Sequence, residues 1–174
     1  MAKSSKNQME QDEKKLLSEL VKNSKENIDT IAKHGGFSRQ KAWRIIKQLE
    51  EKKLIWGYTA VFDEQKIGLN HFLLMIKRTM ERIDEKVVDI IISTETEELG
   101  KEFGVTIESS IYVHGEYDWI LTFTAENIKQ AKRFSDKLMT LFPGTEKIKI
   151  LQTLMFVRKN YVLNPDRKKL KDFL

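Results

Sequence analysis

Residues 28–56, IDTIAKHGGFSRQKAWRIIKQLEEKKLIW, read as a helix, a glycine turn, a second helix and the beginning of a strand. The second helix has an apolar stripe at the i, i+3, i+4, i+7 spacing of one helical face, formed by Ala42, Ile45, Ile46 and Leu49. Ser38 stands where an N-cap residue is expected, and Gly35 and Gly36 provide the sharp turn before it. The pattern therefore predicts a helix-turn-helix.

The face of this helix opposite the stripe is polar and basic. A stiff rod with donors on one side and a packing stripe on the other can enter the major groove of DNA. The predicted DNA-binding residues are Ser38, Arg39, Gln40, Trp43, Arg44 and Lys47. Gln40 and Arg44 are the expected base readers, because Gln pairs with adenine and Arg with guanine through two hydrogen bonds, whereas Lys47 is expected to meet phosphate. Trp43 lies at the stripe boundary, where it either caps the core or touches a sugar or thymine methyl.

The charge distribution supports the same interpretation. The chain has a net charge of +5, and residues 1–56 hold 13 Lys/Arg against 8 Asp/Glu, whereas residues 57–174 hold 18 of each. Clustered positive charge is typical of phosphate binding, since neutralised phosphates release counterions. The excess coincides with the helix-turn-helix pattern, which favours DNA as the partner.

The remaining composition excludes several classes of protein. The sequence has no Cys, no apolar run of membrane-spanning length and no apolar signal core, so we expect a cytoplasmic protein. The three histidines, His34, His71 and His114, are far apart in sequence and read best as surface or hydrogen-bonded side chains. No catalytic set, cofactor motif or metal-ligand spacing is present, and we predict no enzyme activity, cofactor or metal.

The order of elements predicts an α+β protein with two domains. Helices are predicted at 10–22, 28–34 and 38–52, followed by a wing hairpin from 54–58 and 59–62 around Gly57, and a hinge at 63–69. The second half then reads as strand 71–79, helix 84–103, strands 107–114 and 117–125 joined at Gly115-Glu116, helix 126–142 and strand 147–158. This βαββαβ order is that of a ferredoxin-like domain. We therefore predict an N-terminal winged helix-turn-helix DNA-binding domain (10–62), a hinge (63–69), a C-terminal ferredoxin-like effector and oligomerisation domain (70–158) and a basic C-terminal tail (159–174).

The apolar pattern predicts which sides of these elements are buried. The inward residues are expected to be Val88, Ile91, Ile92, Leu99 and Phe103 in the first helix, and Ile128, Ala131, Phe134, Leu138 and Phe142 in the second. Strands 117–125 and 147–158 are apolar on both faces, although two helices cover only one face of such a sheet. An uncovered apolar face indicates an interface, which the tail or the first domain could fill but which sheet-to-sheet dimerisation explains better.

These residues together resemble the Lrp/AsnC (feast/famine) family of transcription regulators over residues 12–158. In the first half the similarity lies in Glu13, Leu16-Leu17, Asn23-Ser24-Lys25, Ile31-Ala32, Gly36-Phe37-Ser38, Arg44, Leu49, Ile55 and Gly57-Tyr58. In the second half it lies in Gly115-Glu116-Tyr117-Asp118. The resemblance implies a sequence-specific regulator that binds double-stranded DNA as a homodimer, tetramer or octamer and senses a small metabolite, with an amino acid as the expected effector.

The same resemblance implies an effector site formed by Gly115, Tyr117, Asp118 and Gln152. Three positions depart from the family pattern: Ile45 replaces an Arg, Lys53 replaces a Gly at the end of the third helix, and Gln152 replaces a Thr in the last strand. Some proteins of this two-domain plan are instead enzymes that decarboxylate a tetrapyrrole such as siroheme. That is the alternative function, and it would require His or Arg groups around a deep pocket.

Overall fold

The computed structural model describes residues 2–174, with side chains from residue 7 onward. The chain forms two compact units. One comprises Met1–Val61 together with Phe156–Leu174, and the other comprises Phe62–Met155. No helix in the described part of the chain is both long and apolar enough to cross a membrane.

The first unit is built around three helices. They are α1 (Ala2–Leu20), α2 (Ile28–Gly35) and α3 (Arg39–Glu51). The first begins earlier than predicted, whereas the other two match their predicted positions to within about a residue. The helices share one apolar core formed by Leu16, Leu20, Ile31, Ala32, Ala42, Ile45 and Leu49. The predicted helix-turn-helix is therefore present, and Ile45, the first departure from the family pattern, is a core residue.

The two helices of the helix-turn-helix end in the same way. After α2, Gly36 adopts a φ of 68°, and the amides of Gly36 and Phe37 donate to the carbonyls of Lys33 and Ala32. After α3, Lys53 adopts a φ of 55°, and the amides of Lys53 and Leu54 donate to the carbonyls of Glu50 and Leu49. Both are Schellman motifs, whose left-handed residue is usually Gly. Lys53, the second departure from the family pattern, therefore occupies a position that favours Gly.

The predicted wing hairpin is wrong. Residues 54–62 contain no strand. The segment instead follows the end of α3, where the Tyr58 hydroxyl donates to the Glu50 carboxylate at 3.0 Å. Four of its large apolar side chains are exposed, with Trp56 at 95%, whereas Ile55 packs against the core of the three helices.

The second unit is a four-stranded antiparallel sheet with the predicted βαββαβ order. Its strands are β1 (Asn70–Arg78), β2 (Val105–Tyr112), β3 (Trp119–Ala125) and β4 (Thr145–Gln152), arranged as β2-β3-β1-β4. The sheet has the order of a ferredoxin-like fold. Before β1, the predicted hinge contains a short 3-10 helix at Glu64–Ile67, which Asp63 caps and Gly68 ends. The last strand stops at Gln152, earlier than predicted.

The helix predicted at 84–103 is two helices, α4 (Glu85–Ile92) and α5 (Glu95–Glu102). Ser93 separates them with an extended backbone, and its hydroxyl donates to the Ile90 carbonyl and accepts from the Glu95 amide. Such local bonds compete with helix continuation. The break changes which side of α4 is buried: Val87, Ile90 and Ile91 pack on the core, whereas the predicted Val88 and Ile92 are exposed.

The last helix, α6 (Ile128–Leu141), lies within its predicted range and begins at an Asn127 cap. Ala131, Phe134, Leu138 and Phe142 are buried as predicted, but Ile128 is exposed. The four buried residues pack on one face of the sheet. That face carries Phe72, Leu74 and Ile76 of β1 and Trp119, Leu121 and Phe123 of β3. Only this one face of the sheet contributes to the buried core.

Residues 156–174 form an additional element in the first unit, which we call the basic extension. It contains a small hairpin of β5 (Arg158–Lys159) and β6 (Val162–Leu163), followed by a 3-10 helix at Arg167–Phe173. The sequence pattern predicted only a basic tail here.

Lys53→Gly is expected to stabilise the protein, since Gly reaches a left-handed conformation without the clash of a Cβ. The free energy of unfolding, measured with urea, should rise by about 1 kcal/mol. Lys53→Ala removes the same charge but keeps a Cβ, so it should bring no comparable gain. An equal gain in both variants would assign the effect to charge.

Candidate nucleic-acid interface and sensor loop

The structure brings the six predicted DNA-binding residues onto one exposed surface. Ser38 caps α3, with its hydroxyl oxygen accepting from the Lys41 amide at 3.2 Å. Burial of the stripe against α1 and α2 leaves the other face of α3 in solvent. The residues of that face are all exposed: Arg39, Gln40, Trp43, Arg44 and Lys47.

Trp43 belongs to this exposed surface rather than to the core. Its side chain is 53% exposed. The stripe boundary allowed either location, and the structure selects the outer one. The face thus presents an aromatic ring next to Gln40 and Lys47, while Gln40 and Arg44 lie one turn apart on the same side of the helix.

The charged residues of this face differ in their protein partners. Arg39 pairs with Asp29 at 3.3 Å, and Lys47 pairs with Glu50 at 2.8 Å. Gln40 and Arg44 form no side-chain hydrogen bond or ion pair with any residue that the structure describes. The two predicted base readers therefore keep their full hydrogen-bonding capacity for a ligand.

Glu50 holds the side chain of Lys47, the predicted phosphate contact. Its hydrogen bond to Lys47 lowers the pKa of the Glu50 carboxyl, with a further contribution from the Tyr58 hydroxyl, and raises the pKa of Lys47. Because the Lys47–Glu50 pair is exposed, it is weak and screened by salt. A phosphate can therefore compete with Glu50 for the ammonium group.

The predicted sensor loop lies between β2 and β3. It spans residues 113–118 and is longer than the tight turn at Gly115-Glu116 that the sequence suggested. Tyr117 is buried, whereas Gly115 is exposed and has open space around it. The loop thus offers one anchored aromatic ring beside an unobstructed backbone.

Asp118 ties this loop to β1. Its amide donates to the Ile76 carbonyl at 2.9 Å, and its carboxylate accepts from the Arg78 amide at 2.8 Å. The carboxylate thus has a structural partner within its own chain, in addition to the ligand role that the family resemblance implies.

Gln152 lies far from the loop within one subunit. It pairs in register with Phe72, and its side chain donates to Asn70 at 3.1 Å. Asp118 contacts the other end of β1, at Ile76 and Arg78. Four strand residues span about 13 Å. The structure therefore brings Tyr117 and Asp118 together but leaves Gln152 at the opposite end of β1.

A polar cluster near Gln152 was missed in the sequence. His71 is 6% exposed, and its ring nitrogens lie 2.7 Å from the Thr153 hydroxyl and 2.9 Å from the Glu108 carboxylate. His71 alternates with the buried Phe72, so it faces the side of the sheet opposite the helices. Only the strand alternation could have indicated this, because its partners are distant in sequence.

Sequence comparison finds transcription regulators. No known family profile matches the chain. The DNA-binding transcriptional activator DecR of Escherichia coli K12 is 23% identical over 132 residues, covering 76% of this chain and 82% of DecR. The uncharacterised HTH-type transcriptional regulator YugG of Bacillus subtilis is 29% identical over 136 residues, covering 74% of this chain and 75% of YugG.

Structure comparison gives the same fold across most of the chain. An AsnC family transcriptional regulator from Agrobacterium tumefaciens has a TM-score of 0.63 at 19% identity, covering 89% of this chain and 96% of its own. The regulator NMB0573 of Neisseria meningitidis was solved in complex with L-Met. It has a TM-score of 0.63 at 14% identity, covering 85% of this chain and 91% of its own.

The fold and the relatives define a DNA-binding transcription regulator with a separate ferredoxin-like domain. Its fold is that of the solved AsnC family regulator, and the resemblance to the Lrp/AsnC family seen in its sequence is confirmed.

Proposed function

We propose that this regulator reads specific DNA sequences through α3, assembles through its sheet into dimers or larger oligomers, and responds to an amino acid. The observation that carries the proposal is the exposed face of α3, on which Gln40 and Arg44 keep their donors unpaired among the described residues. A cytoplasmic location is part of the proposal, in keeping with the transcription regulators that the chain resembles. In a dimer, the two α3 helices would meet half-sites about one helical turn, or a multiple of one turn, apart.

The residues of α3 divide into base and phosphate contacts by their chemistry. The Arg44 guanidinium can donate two hydrogen bonds to guanine, and the Gln40 amide can pair with adenine. Lys47 is a point charge that Glu50 holds at the helix surface, which suits a phosphate. Ser38 and Arg39 at the helix start suit backbone contacts that fix its register, while Trp43 can meet a thymine methyl or sugar.

Arg44→Ala is expected to reduce affinity by about 1–3 kcal/mol and to relax preference at one base position. The measurement is binding to genomic fragments selected by the wild type, compared with random duplex. Lys47→Ala should instead weaken binding to both and lower the salt slope by about one.

The matched control is Glu50→Gln, which removes a carboxylate from the same face and releases Lys47. It should strengthen binding to both duplexes. If Arg44→Ala weakened specific and random binding equally, Arg44 would be a backbone contact rather than a base reader.

The assembly proposal depends on the sheet face opposite the helices. Strand pairing places Leu73 beside Leu151, and Ile120 beside both Met75 and Ile111. Paired residues share a face, so these five side chains form one apolar band on the open side of the sheet. Ile111 and Leu151 are more than 40% exposed. A partner sheet would bury this band.

Leu151→Asp is expected to shift the protein toward monomer in light scattering at micromolar concentration, because burying a carboxylate in the apolar band is unfavourable. Met139→Asp is the control, since Met139 has a similar exposure of 46% but lies on α6, away from that face. A wild-type protein that is monomeric at this concentration would contradict the assembly proposal.

The effector proposal draws on the sensor loop and on the L-Met complex of NMB0573. An amino acid is much shorter than the roughly 13 Å between the Asp118 and Gln152 ends of β1. A site that uses Gly115, Tyr117 and Asp118 as well as Gln152 would therefore need the loop of one subunit and the Gln152 end of another. Ligand bound there would shift the balance between assemblies and so the spacing of the α3 helices.

Asp118→Asn is expected to remove the response to an amino acid while leaving DNA affinity without ligand near the wild-type value. The amide oxygen can still accept from Arg78, but the charge that attracts an ammonium group is lost. DNA affinity is measured with and without a pool of amino acids, and a wild-type change of about 5–150-fold is expected. A wild type that responds to none of them contradicts the effector proposal and leaves DNA reading intact.

A further inference from the structure

The net positive charge of this protein is confined to one of its two units. The unit that contains the helix-turn-helix holds 19 Lys/Arg against 10 Asp/Glu, a formal charge of +9. The unit spanning residues 62–155 holds 12 against 16, a formal charge of −4. The basic extension alone contributes six basic and two acidic residues to the first unit. Sequence order separates it from α3, but the fold assigns both to one body.

The extension is a folded element rather than a string of charges. Asn164 closes the base of the β5–β6 hairpin, because its side-chain amide donates to the Phe156 carbonyl at 2.8 Å and its backbone amide donates to the Val157 carbonyl at 3.0 Å. The Asn164 side-chain oxygen also accepts from the Asp166 amide at 2.8 Å, which links the hairpin to the 3-10 helix. The cationic groups are therefore carried on a defined backbone.

The tip of the hairpin has an unusual conformation. Arg158 pairs with Leu163 and Lys159 with Val162, so Asn160 and Tyr161 form a two-residue loop. Their φ values of 43° and 68° are those of a type I′ turn. Asn tolerates this region, whereas an aromatic residue there is strained. The Tyr161 ring at the tip is also 69% exposed.

Beyond the tip, the 3-10 helix presents cations to solvent. Lys168 and Lys171 are exposed and form no ion pair with any residue in the described part of the chain. Arg167 donates to a neutral carbonyl, that of Asn164, so its charge is not neutralised. An anionic partner with regularly spaced charges would satisfy these groups.

We propose that the basic extension is a second DNA-contacting element, which binds the phosphate backbone of the duplex that α3 reads. The inference rests on the proposed function of α3. Two observations favour duplex DNA over another occupant: the extension shares a compact unit with α3, and its accessible charge is overwhelmingly positive. The 54–62 segment forms no wing hairpin, so within the described residues of this unit β5–β6 is the only β-hairpin.

The test is the salt dependence of DNA affinity for the full-length double variant Lys168→Ala/Lys171→Ala. Each lost phosphate contact lowers the slope of log affinity against log salt by about 0.9, so the double variant should lower it by about two on random and selected duplexes alike. Thermal unfolding should be unchanged, since both side chains are exposed. Sequence preference should also be unchanged, because phosphate contacts carry no sequence information.

The matched control is Lys132→Ala/Lys137→Ala, which removes two exposed charges from α6 in the other unit and should leave the slope at its wild-type value. An equal fall in this control would show a general charge effect and overturn the inference. An unchanged slope in the extension variant, while Lys47→Ala still lowers it, overturns the inference and leaves the proposed function standing. If neither Lys47→Ala nor the extension variant changes the slope, the proposed function fails as well.

Light scattering on the same variants tests the alternative that the extension binds a second copy of the chain rather than DNA. A fall in mass with an unchanged salt slope would mean that the extension binds a second copy of the chain instead of DNA, and this result also overturns the inference.

Discussion

Burial of one apolar stripe of α3 is the interaction on which the proposed DNA-binding surface depends. Ala42, Ile45 and Leu49 are almost completely buried against α1 and α2. Since an α-helix repeats every 3.6 residues, fixing this stripe in the core also fixes the rotation of the helix, and Gln40 and Arg44 must then face solvent. The same burial accounts for Ile45, which stands where the family usually has an Arg: its side chain is part of the stripe that orients the others.

In the second unit, only one face of the sheet is buried. Helices cover only the face of the sheet that carries Phe72 and Leu121, so alternate residues of the same strands are left with apolar side chains on the other face. That face is not uniform, because the buried His71 lies there, bonded to Glu108 and Thr153. A polar cluster next to an apolar band can fix the register of a partner sheet as well as its affinity, since a shifted partner would bury polar groups without hydrogen bonds.

The sequence predicted what depends on periodicity and missed what depends on local bonds. Strand order, the α3 stripe and the buried face of α6 all follow from regular apolar spacing, and each is present in the structure. The break between α4 and α5 depends on a single hydroxyl of Ser93, which no periodic pattern shows. The wing was predicted from turn chemistry at Gly57, but Tyr58 bonds Glu50 instead. The His71 cluster joins three residues that are distant in sequence and meet only in the folded sheet.

The division of charge between the two units has a consequence for how binding and sensing are combined. The unit with α3 and the basic extension is strongly positive, and the sheet unit is negative, so DNA attracts the first and weakly repels the second. In the proposed function the negative sheet unit has no electrostatic attraction to phosphate, so its open face would remain available for other subunits. An effector that acts on that assembly need not compete with DNA for any side chain. In the proposed function it would alter affinity through the spacing of the α3 helices, so the coupling would belong to the oligomer rather than to one subunit.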